Sequence, residues 1–221
     1  MRPLKIYLGD LTYTTISLAS DTFPLNVGYI GSFCKKRFGT QVDIQLFKYI
    51  DDLENSIKDN PPDILGLSNY QWNYNLGLSF FAMVKQLSPT TITVMGGPNI
   101  PTDERAKTKW IEKNKLIDFY ALLEGEEAFS NVVEKVLDSR DNFEKLKREP
   151  IDGIIHRGES GVIHRGSMMK RLKALDDIPS PYLTGVLDKF FDGKLTPTMQ
   201  TNRGCPFSCT FCDEGHSWWT K

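Results

Sequence analysis

The sequence predicts an α/β fold built on a doubly wound parallel sheet. Short apolar segments alternate with longer segments of helical periodicity through the first 140 residues, a pattern typical of strand–helix–strand units. Most of the apolar segments run into glycine, serine, asparagine or proline, which favour a turn out of a strand. We therefore expect five strands in one sheet, with helices covering both of its faces.

The strands are expected where short apolar segments are rich in β-branched residues, at 4–8, 41–47, 63–67, 91–95 and 116–123. The helices are expected where apolar residues recur every three or four positions, at 24–38, 51–58, 74–87, 102–114 and 126–138. Gly39 ends the first helix, Pro61 and Pro62 follow the second, and Pro89 follows the third. This order of elements is that of Rossmann-like and, most simply, flavodoxin-like sheets.

The binding surface of such a sheet lies beside the carboxyl ends of its strands. We therefore expect it to be formed by the loops 9–13, 68–73, 96–99 and 124–127. Ser68, Asn69 and Gln71 offer hydrogen-bonding groups there, while Tyr70 and Trp72 offer aromatic faces for stacking. The sequence thus predicts a polar and aromatic surface along one edge of the sheet.

The remaining third of the chain divides into two parts. Residues 141–194 are expected to form a β-hairpin, over 153–166, followed by a linker that is first basic and then rich in proline. Within the hairpin, His156 and His164 would face each other if its loop had three residues, and hairpin packing is their expected role. Residues 195–221 are expected to begin a second domain, with a strand over 195–201.

Composition and charge exclude several classes of protein. The chain has 221 residues, of which 40% are hydrophobic and 25% charged, as in globular domains. Its net charge of −1 gives no general attraction to nucleic acid or to membranes, and no apolar run is long enough to span one. We expect a cytoplasmic protein without nucleic-acid or membrane partners, in which reduced cysteines can bind metal.

Three of the four cysteines lie close together, as Cys205, Cys209 and Cys212. Thiolates are the usual protein ligands of iron–sulfur clusters, and three of them leave one iron of a four-iron cluster open to another molecule. Zinc is the alternative, because His216 would complete a set of three cysteines and one histidine. The spacing therefore predicts a metal centre at these cysteines.

The cysteine spacing, together with Phe211 and the lead-in from Arg203 to Pro206, resembles the radical S-adenosylmethionine (radical SAM) superfamily. The resemblance implies a [4Fe–4S] cluster on Cys205, Cys209 and Cys212, with Phe211 beside the cofactors. The open iron would bind S-adenosylmethionine, and an electron from the cluster would cleave it to a 5′-deoxyadenosyl radical. No residue is assigned a catalytic role.

The first 140 residues resemble the cobalamin (B12)-binding domain that precedes many radical SAM domains. The segments 63–68, 94–98 and 124–129 carry this resemblance. The cofactor contacts that it implies are Asp10, Leu11, Thr12, Ser68, Asn69, Tyr70, Gly96, Gly97, Pro98, Glu124, Gly125 and Glu126. The loop 9–13 contains no histidine that could ligate cobalt, and Leu123 stands where the family has the first glycine of Gly-Glu-Gly-Glu.

The resemblance implies the N-terminal part of a B12-dependent radical SAM enzyme, with residues 195–221 as the first strand and cluster loop of an incomplete (β/α) barrel. The full-length parent would transfer a methyl group or catalyse a related radical rearrangement on a small-molecule or biosynthetic-intermediate substrate. It would draw electrons from a reductant such as flavodoxin or ferredoxin, and this chain alone is expected to be inactive. The alternatives are a corrinoid- or partner-binding module without catalysis and a zinc-stabilised Rossmann-like protein.

Overall fold

The computed structural model describes residues 2–14, 20–139, 143–172, 174–205, 207 and 209–211. A seven-stranded sheet lies at its centre, in the order β2-β1-β3-β4-β5-β6-β7. Strands β1 to β5 are parallel, as predicted, while β6 and β7 extend the sheet in antiparallel fashion beyond β5. The first five strands thus follow the flavodoxin-like order 2-1-3-4-5 that the sequence predicts.

The strands are β1 Leu4–Thr12, β2 Val42–Tyr49, β3 Ile64–Ser68, β4 Ile92–Gly96, β5 Phe119–Ala121, β6 Ile154–Arg157 and β7 Ile163–Arg165. The α-helices are α1 Leu25–Phe38, α2 Ile50–Asp59, α3 Tyr74–Leu87, α4 Glu104–Lys113, α5 Gly125–Asp138 and α6 Phe143–Leu146. Short 3₁₀ helices cover Gly39–Gln41, Leu175–Asp177 and Asp188–Phe190. Within the described ranges, no helix combines the length and the apolar character needed to cross a bilayer.

Alternation along the strands divides the apolar core between the two faces of the sheet. Ile6 and Leu8 of β1 contribute to the core that lies against α1 and α5. Tyr7 and Leu11 of the same strand contribute to the opposite core, which lies against α2, α3 and α4. The sheet is therefore doubly wound, as the sequence predicts.

A close contact at Gly66 explains why a glycine stands in the middle of β3. A Cβ atom at this position would lie 2.7 Å from a methyl group of Leu8 and 3.0 Å from the ring of Phe129. The absence of a side chain therefore lets α5 pack its aromatic ring directly against the strand.

Two strand boundaries differ from those expected. The first strand does not end at residue 8, because β1 continues through Thr12 and places Asp10 and Thr12 inside the protein. Conversely, β5 covers only three of the eight residues expected to be extended. Asp10 was assigned to a loop because it is polar, but its charge is satisfied by buried partners.

The hairpin is part of the sheet rather than a separate element. Strand β6 pairs with β5, and His156 lies directly opposite His164 on β7. The Gly158 amide donates a hydrogen bond to the Val162 carbonyl at 2.8 Å, so the loop proper has three residues, 159–161, the length at which the two histidines were expected to face each other. The expected boundary at residue 140 therefore does not end the sheet, which continues through residue 165.

The segment that leads to the cysteines packs against the first helix. Leu187, Phe190 and Leu195 are buried in the core on the α1 side. The strand expected over 195–201 is reduced to one parallel bridge between Thr22 and Thr196. The linker thus wraps around α1 and arrives beside the chain that follows β1.

Candidate functional site

The direction of the chain reverses between β1 and β3. Strand β1 connects through α1 to β2 on one side, and α2 then carries the chain to β3 on the other side. Because crevices of this kind open at the carboxyl ends of the strands, the ends of β1 and β3 mark the expected ligand position. Asp10 and Thr12 of β1 and Ser68 of β3 lie at this point.

Asp10 is the centre of a buried polar cluster at this crevice. Ser68 Oγ donates a hydrogen bond to Asp10 Oδ1 at 2.5 Å, and Lys48 Nζ donates to Asp10 Oδ2 at 3.1 Å. Lys48 is only 1% exposed and also donates to Ser20 Oγ at 3.3 Å. Since both carboxylate oxygens and the ammonium have partners, the ion pair holds the ends of β1, β2 and β3 together.

The loop after β3 is fixed by Asn73. Its Nδ2 donates to Ser68 Oγ at 3.0 Å, and its Oδ1 accepts from the Tyr70 amide at 2.8 Å. Tyr70 stacks on Trp72 with the ring centroids 4.5 Å apart and the planes within 5°. Trp72 is 52% exposed, so one face of the stacked pair remains open to a ligand.

The hydroxyl of Tyr70 stays protonated at neutral pH. Burial raises the pKa of Tyr70, and the negative charge of Asp10 raises it further. Asn26 Nδ2, on α1, donates a hydrogen bond to this hydroxyl at 3.3 Å. Tyr70 therefore reaches across the crevice to α1 as a neutral group.

The loops after β3 and β4 are joined by a second network. Asn69, which is fully buried, donates from Nδ2 to the Asn99 carbonyl at 2.8 Å and to the Tyr120 hydroxyl at 3.0 Å. The Tyr120 hydroxyl in turn donates to the Gly97 carbonyl at 2.7 Å. At Gly97, φ is +134°, and a Cβ atom would lie 2.6 Å from the Asn69 carbonyl oxygen. Gly97 is therefore needed for contact between the two loops.

Several residues predicted to bind a cofactor instead make contacts within the protein. Leu11 is 3% exposed in the core, and Thr12 Oγ1 accepts a hydrogen bond from the Ser20 amide at 2.8 Å. A Cβ at Gly96 would contact Ala121 at 3.3 Å, so this glycine faces β5. Pro98 is exposed to solvent in the loop after β4. Only some of the predicted residues therefore present a surface to a ligand.

The start of α5 holds the segments that follow the sheet. Glu126 pairs with Arg203, and Glu124 Oε2 accepts a hydrogen bond from the Leu172 amide at 3.0 Å. A Cβ at Gly125 would lie 2.9 Å from the side chain of Ile30, so this glycine packs against α1. The carboxylates of Glu124 and Glu126 thus contact the linker and the lead-in to the cysteines.

The cysteine loop is described only in part. Cys205 is half-buried, Cys209 is exposed, and both are free thiols. Phe211 is 91% exposed. The predicted ligand Cys212 and the alternative ligand His216 lie outside the described residues. Among the residues that the structure covers, no three acidic, histidine or cysteine side chains form a group that could hold a metal ion.

Sequence reasoning missed three residues that organise the crevice, namely Lys48, Asn73 and Tyr120. Lys48 interrupts an apolar run at the end of β2, and this position was a usable signal of a buried charge. Asn73 ends the expected loop 68–73 and directly precedes α3, where asparagine is common, so its position in the sequence does not reveal its contacts with Ser68 and Tyr70. Nothing in the local sequence distinguishes Tyr120 from the other residues of a buried strand.

Residues 12–133 match the family model described as the B12 binding domain. The chain is 31% identical over 205 residues to the cobalamin-dependent radical SAM methyltransferase TokK of Streptomyces tokunonensis. It is 30% identical over the same length to the 2-(S-pantetheinyl)-carbapenam-3-carboxylate methyltransferase of Streptantibioticus cattleyicolor. Each alignment covers 87% of this chain and 28% of the relative, so the chain spans little more than a quarter of these proteins.

A solved structure has the same fold. The cobalamin-dependent S-adenosylmethionine radical enzyme OxsB, with aqua-cobalamin and S-adenosylmethionine bound, superposes with a TM-score of 0.70 at 20% sequence identity. The match covers 95% of this chain and 28% of OxsB. At this identity, the likeness concerns the arrangement of the strands and helices.

Proposed function

Because the chain belongs to the B12-binding domain family, we propose that it forms the cobalamin-binding, N-terminal part of a radical SAM methyltransferase. The match over residues 12–133 is the observation that carries this proposal. The methyltransferase names of the two relatives and the cysteine spacing support it. The substrate class proposed for the whole protein is a small molecule or a biosynthetic intermediate, with flavodoxin or ferredoxin as reductant.

The crevice between β1 and β3 fits a corrinoid through the chemistry of its side chains. The open face of the Tyr70–Trp72 stack and the half-exposed Tyr13 offer apolar area to a large flat ring. The loop 9–13 has no histidine, so the cobalt would have no histidine ligand from that loop. When bound, the corrinoid supplies a metal centre that carries a methyl group.

An ion pair and several hydrogen bonds hold the crevice in shape. The Asp10–Lys48 pair and Ser68 fix the strand ends, and Asn73 fixes the loop that carries the aromatic pair. Because Tyr70 stays neutral, its hydroxyl donates or accepts a hydrogen bond without adding charge to the crevice. The crevice is therefore preorganised and requires little ordering when a ligand binds.

The cysteines would hold the second proposed group. Cys205 and Cys209 have free thiols that are at least partly accessible, which fits thiolate ligation of a [4Fe–4S] cluster together with Cys212. The cluster would supply an electron for cleavage of S-adenosylmethionine. Anaerobic reconstitution with iron and sulfide should give a broad absorbance at about 400 nm that Cys209→Ser abolishes. Colourless, tight zinc binding would contradict this assignment.

Substitution of Trp72 tests the corrinoid site. Trp72→Ala should weaken the affinity for hydroxocobalamin by about fivefold, because an aromatic contact of this kind contributes on the order of 1 kcal/mol. Leu87→Ala is the control, since Leu87 is a half-exposed apolar residue at the last position of α3, at the opposite end of this helix from the loop after β3. Equal affinities of the two variants would contradict the assignment of the ligand face.

A further inference from the structure

A shielded ion pair joins the first domain to the lead-in of the cysteine loop. Arg203 Nη1 and Nη2 donate to the two carboxylate oxygens of Glu126, at 3.1 and 2.5 Å. The two side chains are 14% and 4% exposed. The partners are separated by 77 positions in the sequence, so the pair closes a long loop of the chain.

The geometry of this pair fixes orientation as well as distance. A guanidinium that donates two parallel hydrogen bonds to a carboxylate cannot rotate without breaking one of them. The guanidinium carbon also lies 5.6 Å from the centre of the Tyr29 ring on α1. Arg203 is thus held from two directions, by α5 and by α1.

The backbone around Arg203 is anchored by further contacts. Arg171 Nη2 donates to the Arg203 carbonyl at 3.1 Å, and Arg171 Nε lies 3.7 Å from Glu124 Oε1. Upstream, the Thr198 carbonyl and amide both bond to the Tyr182 hydroxyl, at 2.6 and 3.1 Å. Glu124 and Glu126, at the start of α5, therefore hold the linker and the cysteine lead-in side by side.

We propose that Arg203 is a positioning residue, whose pair with Glu126 sets where the cysteine loop leaves the cobalamin-type domain. Cys205 follows two residues later, so a change at Arg203 is transmitted through a very short length of chain. This role rests on the proposed function, because it places the proposed cluster loop relative to the crevice. Glu126 thereby acts in docking rather than in contact with the cofactor.

Hydrogen–deuterium exchange of the full 221-residue chain, without metal or cobalamin, tests this role. Arg203→Gln removes the charge while keeping a polar side chain. It should accelerate exchange of the Thr196 and Thr198 amides, which donate to the Asp21 carbonyl and the Tyr182 hydroxyl, by about tenfold or more, because it leaves the Glu126 carboxylate shielded and unpaired. Exchange in β3 and β4 should not change. The conservative Arg203→Lys should restore part of the protection, since one charged donor remains.

A double variant exchanges the two charges by combining Glu126→Arg with Arg203→Glu. Its amides should exchange more slowly than those of either single variant. Arg148→Gln is the matched control, because its contact with Glu159 is exposed and its loss should not affect the Thr196 and Thr198 amides. Exchange of the Thr196 and Thr198 amides that stays within twofold of wild type in Arg203→Gln would overturn the proposal. Equal acceleration throughout the sheet would also overturn it, because the pair would then be a general stabilising contact.

The same preparation separates this proposal from the proposed function. Hydroxocobalamin is added to the wild-type chain, and binding is followed by its visible spectrum. Failure to bind would contradict the cobalamin function, whereas the exchange measured without ligand reports on the Glu126–Arg203 contact alone. The two failures are therefore distinguishable.

Discussion

Replacement of His156 by phenylalanine should remove a pH-dependent loss of stability at the β6–β7 edge. His156 is 1% exposed, and neither ring nitrogen has a hydrogen-bond partner among the described residues. Its ring lies between Phe119, at 5.0 Å, and His164, at 5.1 Å. Burial lowers the pKa of His156 to about 4, and the nearby His164 and Lys147 contribute to the shift.

The sign and size of the effect follow from this shift in pKa. The unfolded chain has the ordinary histidine pKa of about 6.5, so between about pH 6.5 and 4 it binds more protons than the folded chain does. The free energy of unfolding therefore falls as the pH is lowered through this range. At about 1.4 kcal/mol per pKa unit, the loss reaches about 3 kcal/mol near pH 4.

Urea unfolding of wild type and His156→Phe, followed by far-UV circular dichroism at several pH values from 7 to 4, measures this loss. Carboxylates titrate in both proteins, so the difference between the two free energies isolates His156. We expect phenylalanine to be tolerated at pH 7, and the variant to gain about 3 kcal/mol relative to wild type by pH 4. A difference that is constant with pH would mean that burial does not lower the pKa of His156.

Three other substitutions have defined outcomes. Asp10→Asn should reduce the free energy of unfolding by about 3–5 kcal/mol in urea titrations, because Lys48 would remain buried and charged without its carboxylate partner. Gly97→Ala should cost about 3 kcal/mol in the same assay, because φ at this position is +134° and the new methyl group would meet the loop after β3. Leu123→Gly should raise the midpoint of thermal unfolding by a few degrees, because φ of Leu123 is +56°.

Each of these outcomes has a control. Asp43→Asn removes an exposed carboxylate from β2 and should change stability by less than about 0.5 kcal/mol. If Asp10→Asn also lowered the free energy of unfolding by less than about 0.5 kcal/mol, Lys48 would have found another partner for its charge. Gly161 also has a positive φ, of +81°, but open space surrounds it. Gly161→Ala therefore measures the cost of a positive φ alone, and the additional loss in Gly97→Ala measures the steric cost. A lower melting temperature of Leu123→Gly would mean that apolar contact outweighs backbone strain.

Local sequence signals were sufficient for the parallel sheet and its helices. The helix α3 spans Tyr74–Leu87, as expected, because apolar residues at helical spacing are bounded there by a polar loop and a proline. Strand β3 was recognised within one residue, because it is short, apolar and followed by polar residues. In these segments, burial and local propensity favour the same structure, so tertiary contacts did not alter the outcome.

The sequence was less informative where distant residues satisfy buried charges. Asp10 was expected in a loop, and its buried contacts with Lys48, 38 positions away, and with Ser68 explain why it continues a strand. Glu126 was expected at a cofactor, but its carboxylate pairs with Arg203. The attachment of β6 to β5 also depends on long-range pairing. Contacts of this kind form only when the chain folds, so a residue's neighbours in sequence do not reveal them.

Equilibrium binding of hydroxocobalamin to the wild-type chain tests whether this chain is a cobalamin-binding domain. Flavin mononucleotide serves as the comparison ligand, because flavodoxin-like sheets can also bind flavin at the point where the strand order reverses. We expect saturable binding of hydroxocobalamin, with one cobalamin per chain, and no saturable binding of the flavin. Absence of cobalamin binding, or equal binding of both ligands, would contradict this expectation.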